Sequence, residues 1–360
     1  MIKRKKERIS KFIKEKKSLD AFYLCSFFAS DATFHCSSSI LIEAHFDKVK
    51  MVTEVVDSHH HLWSLSHSDK HRYKWLGPVD QGGIEWHVAG DVEKLKKDYL
   101  LDDYLRDATN KACRLFKSVH VQAEADDPLE EVKFLENIAQ NNAEGFPHGI
   151  VAHANLASPE LKELLETYRR DYPRVKGVRQ LLNWSNKNPR LSMTDRSDYL
   201  TDRTWLEGFQ LLISHSLSFD FHIYPSQMAD AAKIARENPH AILVLDHCGL
   251  PVDGINEFSS WQEGMRMMAE QSNVICKLSG LVMFNHQWSK EIFSPYIQEC
   301  LRLFSPRRCM FGSNFPVDKL NISYEELVEV YRDIAQNDAG LTEEELDLIF
   351  KQNALKTYRL

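Results

Sequence analysis

Eight times after Val52, a short apolar run gives way to a longer stretch of helical period, and this alternation constrains the fold of the 360-residue chain more than any other feature. Parallel strands need a crossover long enough to hold a helix, so repeated βα units imply a parallel sheet with helices packed on it. Strands read at 55–61, 118–123, 149–155, 175–181, 219–224, 241–247, 274–278 and 310–314. Between them, Pro128 followed by Leu129-Glu130-Glu131-Val132 opens one expected helix, and Ser158-Pro159 gives a cap and a first helical position for another. Further helical stretches fall at 207–214, 227–237, 261–271 and 324–336. Eight such units between positions 51 and 360 fit one (β/α)₈ barrel. A doubly wound open sheet is the alternative, but no glycine-rich phosphate-binding turn follows any strand.

The first 50 residues stand apart from this pattern. They hold no Gly or Pro and carry 11 Lys/Arg against 6 Asp/Glu, while the remainder carries 34 against 46. Residues 1–50 therefore read as a basic, disordered extension, and 51–360 as the barrel domain. An acidic body argues against a nucleic-acid partner. The apolar stretches at 22–28 and 39–42 are far below the ~20 residues of a membrane span. Seven cysteines without CxxC spacing, several inside expected strands, suggest reduced thiols and a cytoplasmic location.

Active sites of such barrels lie at the carboxyl ends of the strands. Those ends carry His59 and His61, Gln122 with Glu124, Arg179, His222, His247, Lys277 and Asn314. His59 and His61 are two residues apart on a strand, so both point to one face and can grip one ion or one substrate oxygen. Arg179 and Lys277 would place two cations at the mouth of an acidic protein, suited to carboxylates or hydroxyls; the alternative is that each pairs with a nearby acid. The long connection 64–90 holds Tyr73, Trp75 and Trp86, which could stack on a substrate ring or pack the rim.

The set Asp57-Ser58-His59-His60-His61-Leu62-Trp63, Val119-His120-Val121-Gln122-Ala123-Glu124, Lys176-Gly177-Val178-Arg179, Leu245-Asp246-His247-Cys248-Gly249, Cys276-Lys277-Leu278-Ser279-Gly280 and Phe311-Gly312-Ser313-Asn314-Phe315-Pro316-Val317-Asp318 resembles the amidohydrolase superfamily. More closely it is similar to the amidohydrolase-related branch of sugar-lactone and 2-pyrone-4,6-dicarboxylate lactone hydrolases, from about Val52 to the C-terminus. The resemblance implies a distorted (β/α)₈ barrel. It also implies metal ligation by His59, His61 and His222, with His247 on the attacking water or the carbonyl oxygen. Two departures stand out: the expected fourth strand ends in Arg179-Gln180, without the lysine or glutamate that bridges two metals, and Asn314 stands where most members have aspartate. An amide does not titrate, so Asn314 cannot act as general base.

The expected activity is hydrolysis of the ester of a small sugar-acid lactone, with His247, His222 and Lys277 catalytic and Arg179, Gln122, Trp75 and Asn314 holding substrate. Two routes stay open: one zinc or manganese ion on His59, His61 and His222, or catalysis by these side chains without a metal. A metal-dependent decarboxylase or hydratase is the alternative enzyme, and a catalytically silent binding protein the alternative class. Substrate identity and oligomeric state are not fixed by the sequence.

Overall fold

A computed structural model of the chain describes residues 52–66, 73–78, 90–251 and 258–360. The basic extension and Trp86 lie outside these residues. The strands are β1 (Thr53–His60), β2 (Cys113–Val121), β3 (Gly149–His153), β4 (Val175–Leu181), β5 (Ser218–His222), β6 (Leu243–Leu245), β7 (Val274–Leu278) and β8 (Cys309–Phe311). Each pairs in parallel with the next, in the order β1 to β8. The ring closes just past β8, through a parallel bridge between His60 and Phe315. There the His61 amide donates to the Phe315 carbonyl and the Asn314 amide to the His59 carbonyl, each at 2.7 Å. This is the expected (β/α)₈ barrel rather than an open sheet.

A helix follows every strand: α1 (Leu101–Ala108), α2 (Pro128–Gln140), α3 (Leu161–Asp171), α4 (Arg203–Ser214), α5 (Met228–Glu237), α6 (Phe258–Ala269), α7 (Lys290–Phe304) and α8 (Tyr324–Asp333). Their starts follow capping chemistry. Asp127 accepts from the Leu129 and Glu130 amides ahead of Pro128, Asp202 accepts from the Trp205 amide, and Ser323 and Glu326 form a reciprocal capping box. Ser158 does not cap α3 as the sequence suggested. It accepts from the Glu160 amide in a turn that precedes the helix, which begins at Leu161.

Apolar packing divides into two layers and a small cluster of Leu191, Tyr224, Leu250, Met283 and Val317 above them. Between strands and helices lies the main core, where Trp205, Trp261, Phe209 and Tyr168 are fully buried. Inside the barrel, Val56, Val119, Val121, Val151, Val244 and Met310 form a smaller core plugged from below by Ala354 and Tyr358 of α9 (Asn353–Tyr358). Above that plug the interior changes from apolar to charged, and the candidate site begins. No helix among the described residues is long and apolar enough to cross a membrane.

Candidate functional site

Several strand ends leave the sheet through left-handed backbone: φ is 59° at Glu124, 54° at His247, 68° at Gly280 and 56° at Asn314. After β6 the conformation persists through four residues, with φ of 54°, 51°, 69° and 50° at His247, Cys248, Gly249 and Leu250. Each non-glycine residue there is disfavoured by roughly 1–2 kcal/mol, and such strain survives only where surroundings hold it. Here the Trp261 indole donates to the Cys248 carbonyl at 2.7 Å, and the Gly249 amide to Asp246 at 2.9 Å. The turn lifts the His247 ring toward the cavity and buries the Cys248 thiol in the core.

The floor is a closed cycle of four buried groups. Lys277 Nζ lies 3.1 Å from Asp246 Oδ1 and 3.4 Å from His59 Nδ1. Arg179 Nη1 lies 3.3 Å from Asp246 Oδ2 and 3.4 Å from His59 Nε2. Each cation thus bridges the same carboxylate and the same imidazole. Below the cycle, Lys277 donates to Asp220 Oδ2 at 2.6 Å, which also accepts from the Tyr358 hydroxyl at 2.7 Å. Burial opposes ionisation of Asp246, but the Lys277 ammonium outweighs it and, with a hydrogen bond from His59, holds the carboxyl well below its usual range. Burial raises Asp220, with Lys277 pulling the other way. Burial, then Lys277, keeps His59 neutral by holding its pKa well below the ordinary value.

Above the floor opens a cavity of about 290 Å³, lined among others by His61, His222 and His247. All three imidazoles are anchored through Nδ1: to the Val121 carbonyl at 2.7 Å, to Asn183 Oδ1 at 2.9 Å and to Ser279 Oγ at 2.9 Å. The Val121 carbonyl can only accept, so in neutral His61 the proton is on Nδ1 and the Nε2 lone pair faces inward. Asn183 fixes His222 the same way, since its amide nitrogen is turned to the Leu191 carbonyl. Burial holds both His61 and His247 well below the usual imidazole range; Arg179 adds to this for His61, while Asp246 opposes it for His247.

Of the residues singled out from the sequence, His61, Trp75, Glu124, Arg179, His222, His247 and Asn314 line this one cavity. His59 and Lys277 lie beneath it. Of the two readings of Arg179 and Lys277, pairing with acids is the one observed: rather than standing at the mouth, both are buried in the floor, where Asp220 and Asp246 pair with them. Gln122 folds onto its neighbour, donating to Glu124 Oε1 at 2.5 Å and accepting from the Glu124 amide, and is not among the lining residues. Asp220 and Asp246 had no role in the sequence reading. Asp220 was within reach of it, because it shares a strand face with His222 two residues on.

The donor atoms of His59, Asp246 and His247 lie within 4.8 Å of one another, close enough by distance to hold an ion. Charge argues otherwise. Both ring nitrogens of His59 and both oxygens of Asp246 already face Lys277 and Arg179, so the cation positions are filled by side chains. With two carboxyls against two fixed cations the cluster is neutral or positive, and a divalent ion would add charge with nothing to balance it. Uncharged imidazoles do hold zinc, but among the described residues no other three His, Cys, Asp or Glu side chains bring their donor atoms within 4.8 Å of one another. These residues do not fit a tightly held divalent metal.

The amidohydrolase family model matches residues 56–360. The chain is 34% identical over 308 residues to the uncharacterized protein y4mH of Sinorhizobium fredii, covering 85% of this chain and 98% of that one. It is 29% identical over 306 residues to an L-fucono-1,5-lactonase of Burkholderia multivorans, covering 80% and 90%. Crystal structures of a B. multivorans amidohydrolase, one with bound HEPES and one with bound zinc, superpose with TM-scores of 0.69 and 0.68 at 25% identity, over 86% of this chain and all of theirs. With a barrel rim that brings His61, His222 and His247 together and a family match running to the last residue, this chain belongs to the amidohydrolase family.

Proposed function

We propose that the protein hydrolyses the ester of a small lactone, with sugar-acid lactones as the first reference substrates, and that it does so without a resident metal. The observation that carries this reading is the three-imidazole cavity set directly over a cation-filled floor. Ester hydrolysis needs a base for water and positive charge where the carbonyl oxygen becomes an oxyanion. His247, neutral and beside Asp246, takes a proton from water as the water oxygen bonds to the carbonyl carbon. The imidazolium that forms is stabilised by the Asp246 carboxylate, which is already ionised. Arg179, on the cavity floor, faces the negative charge on the former carbonyl oxygen. Collapse of the tetrahedral intermediate breaks the ring C–O bond, and the proton held by His247 passes to the departing alkoxide, leaving a hydroxy acid. Lys277 acts through Asp246 and His59 rather than on substrate. The name of the L-fucono-1,5-lactonase relative supports the lactone assignment.

The test is a pH-indicator hydrolysis screen over sugar-acid lactones, L-fucono-1,5-lactone included, on purified protein before and after chelation, with metal content measured on the same sample. Turnover that survives chelation supports the metal-free reading. Turnover lost on chelation and restored by zinc or manganese replaces it with a metal-dependent one, and binding without any hydrolysis favours a silent binding protein.

A further inference from the structure

A second cavity, of about 200 Å³, shares only Trp63 with the three-imidazole cavity among the described residues. It forms where the chain has left β1 and returns toward α1. The Trp63 amide donates to the Tyr99 carbonyl and the Tyr99 amide to the Trp63 carbonyl, each at 3.0 Å, while the Trp63 indole donates to the Lys97 carbonyl at 2.8 Å. Trp63, Tyr99 and Pro316 give this cavity apolar walls, and its charged lining groups are Lys94, Lys97 and Lys319. No carboxylate lines it among the described residues.

The three lysines are not equivalent. Lys319 donates to both oxygens of Asp107, at 2.7 and 2.6 Å, with its Nζ 5.4 Å from the centre of the Tyr99 ring. Lys94 and Lys97 are exposed, and neither ammonium group has a hydrogen bond or ion pair among the described residues. The acids around them are taken by other groups. Asp91 accepts from the Glu93 amide, Glu93 pairs with Lys96, Asp98 accepts from the Leu65 and Ser66 amides, and Asp107 accepts from the Tyr99 hydroxyl as well as from Lys319. A lone surface lysine is ordinarily just solvated. In a body with 34 Lys/Arg against 46 Asp/Glu, two lysines left without an acid beside one apolar hollow are a local attractor for negative charge. An ammonium group takes an oxyanion as a point charge from several directions, so two of them can share one.

We propose that this cavity is a second binding site for a small organic oxyanion, its charge held by Lys94 and Lys97 and its apolar body set against Trp63 and Tyr99. Binding there does not depend on what the three-imidazole cavity hydrolyses, so the lactonase reading can fail without it. The probe is phenyl phosphate, followed by titration calorimetry, with inorganic phosphate as the charge without the ring and benzyl alcohol as the ring without the charge. Four proteins are compared: wild type, Lys94→Gln/Lys97→Gln, Lys94→Arg/Lys97→Arg, and Arg190→Gln, which alters a cation lining the other cavity. Wild type is expected to bind phenyl phosphate at least ~10-fold more tightly than either control. One equivalent of that binding is expected to disappear in Lys94→Gln/Lys97→Gln and to persist in Lys94→Arg/Lys97→Arg and in Arg190→Gln. Both lysines are exposed, so the glutamine variant is expected to unfold at the wild-type temperature. Phenyl phosphate binding that is absent from wild type, or unchanged in Lys94→Gln/Lys97→Gln, overturns the proposal. So does binding lost only in Arg190→Gln, which would put the anion in the other cavity. Inorganic phosphate binding as tightly as phenyl phosphate, or benzyl alcohol doing so, overturns it as well, since either would mean that one of the two contacts contributes nothing.

Discussion

Gly280 lies directly against the His247 imidazole: a Cβ at position 280 would stand 2.5 Å from Nδ1 and 2.6 Å from Cγ. No L side chain fits there without moving the ring, and φ at Gly280 is 68°, which adds backbone strain to any substitution. Gly280→Ala is therefore expected to push the imidazole off Ser279 and lower kcat at least ~10-fold, while lowering stability by roughly 2–4 kcal/mol. Steady-state kinetics and thermal unfolding on the same sample check this. Loss of stability with an unchanged kcat would show that the ring position does not matter to the reaction.

His247→Ala should lower turnover by at least ~10²-fold, the usual effect of removing a general base. The pH profile carries a sharper expectation. Burial holds His247 well below the ordinary imidazole range, so the neutral, proton-accepting form persists as pH falls through 6.5. The acid limb of kcat/KM should be flat between pH 8 and 6 and fall only at lower pH. A midpoint near 6.5 would assign the base to an imidazole with an ordinary pKa.

Lys277→Met leaves Asp220 and Asp246 facing one another with Arg179 as their remaining cation near the cycle. Removing one partner of a buried charge pair typically destabilises by about 3–5 kcal/mol, because the orphaned carboxylate stays buried. Adding Asp220→Asn to Lys277→Met should recover part of that loss, since the amide needs no counter-charge. Urea denaturation of the single and double variants measures both. A single variant within about 1 kcal/mol of wild type would mean that Lys277 does not hold the floor together.

How much of this was readable in advance depended on whether the signal was local. β4 and β7 fall at the positions the apolar runs gave, Val175–Leu181 and Val274–Leu278. β6 and β8 stop short, at Leu245 and Phe311, because the chain turns left-handed at His247 and Asn314. Asparagine and histidine are enriched in left-handed backbone, so Asn314 and His247 carried a weak signal that the apolar runs masked, and Gly249 a stronger one, whereas Cys248 and Leu250 carry none. His61, His222 and His247 converge as strand-end position implied. Pairing of Lys277 and Arg179 with acids was one of two readings the sequence left open, but which acids was not legible, since Asp220 and Asp246 arrive from β5 and the end of β6, a matter of barrel register rather than of neighbouring residues.

Asn314 offers the most direct test of the proposed metal-free reading. Its Oδ1 lies 3.3 Å from His61 Nε2, while its amide nitrogen donates to Asp318 Oδ1 at 2.7 Å. With the His61 proton on Nδ1, two lone pairs face each other across that gap, an arrangement that suits a cation but supplies no negative charge to hold one. Asn314→Asp would place a carboxylate there. It would also remove the N–H that Asp318 accepts, but burial raises the Asp318 pKa well above its ordinary value, so a protonated Asp318 can donate to the new carboxylate instead. Elemental analysis after dialysis should then find zinc or manganese rising from well under one ion per chain in wild type toward one in Asn314→Asp. Unchanged content in the variant would mean that residue 314 does not reach an ion, whereas a full complement already present in wild type would show that neutral donors hold a divalent ion beside Arg179 and would overturn the charge argument.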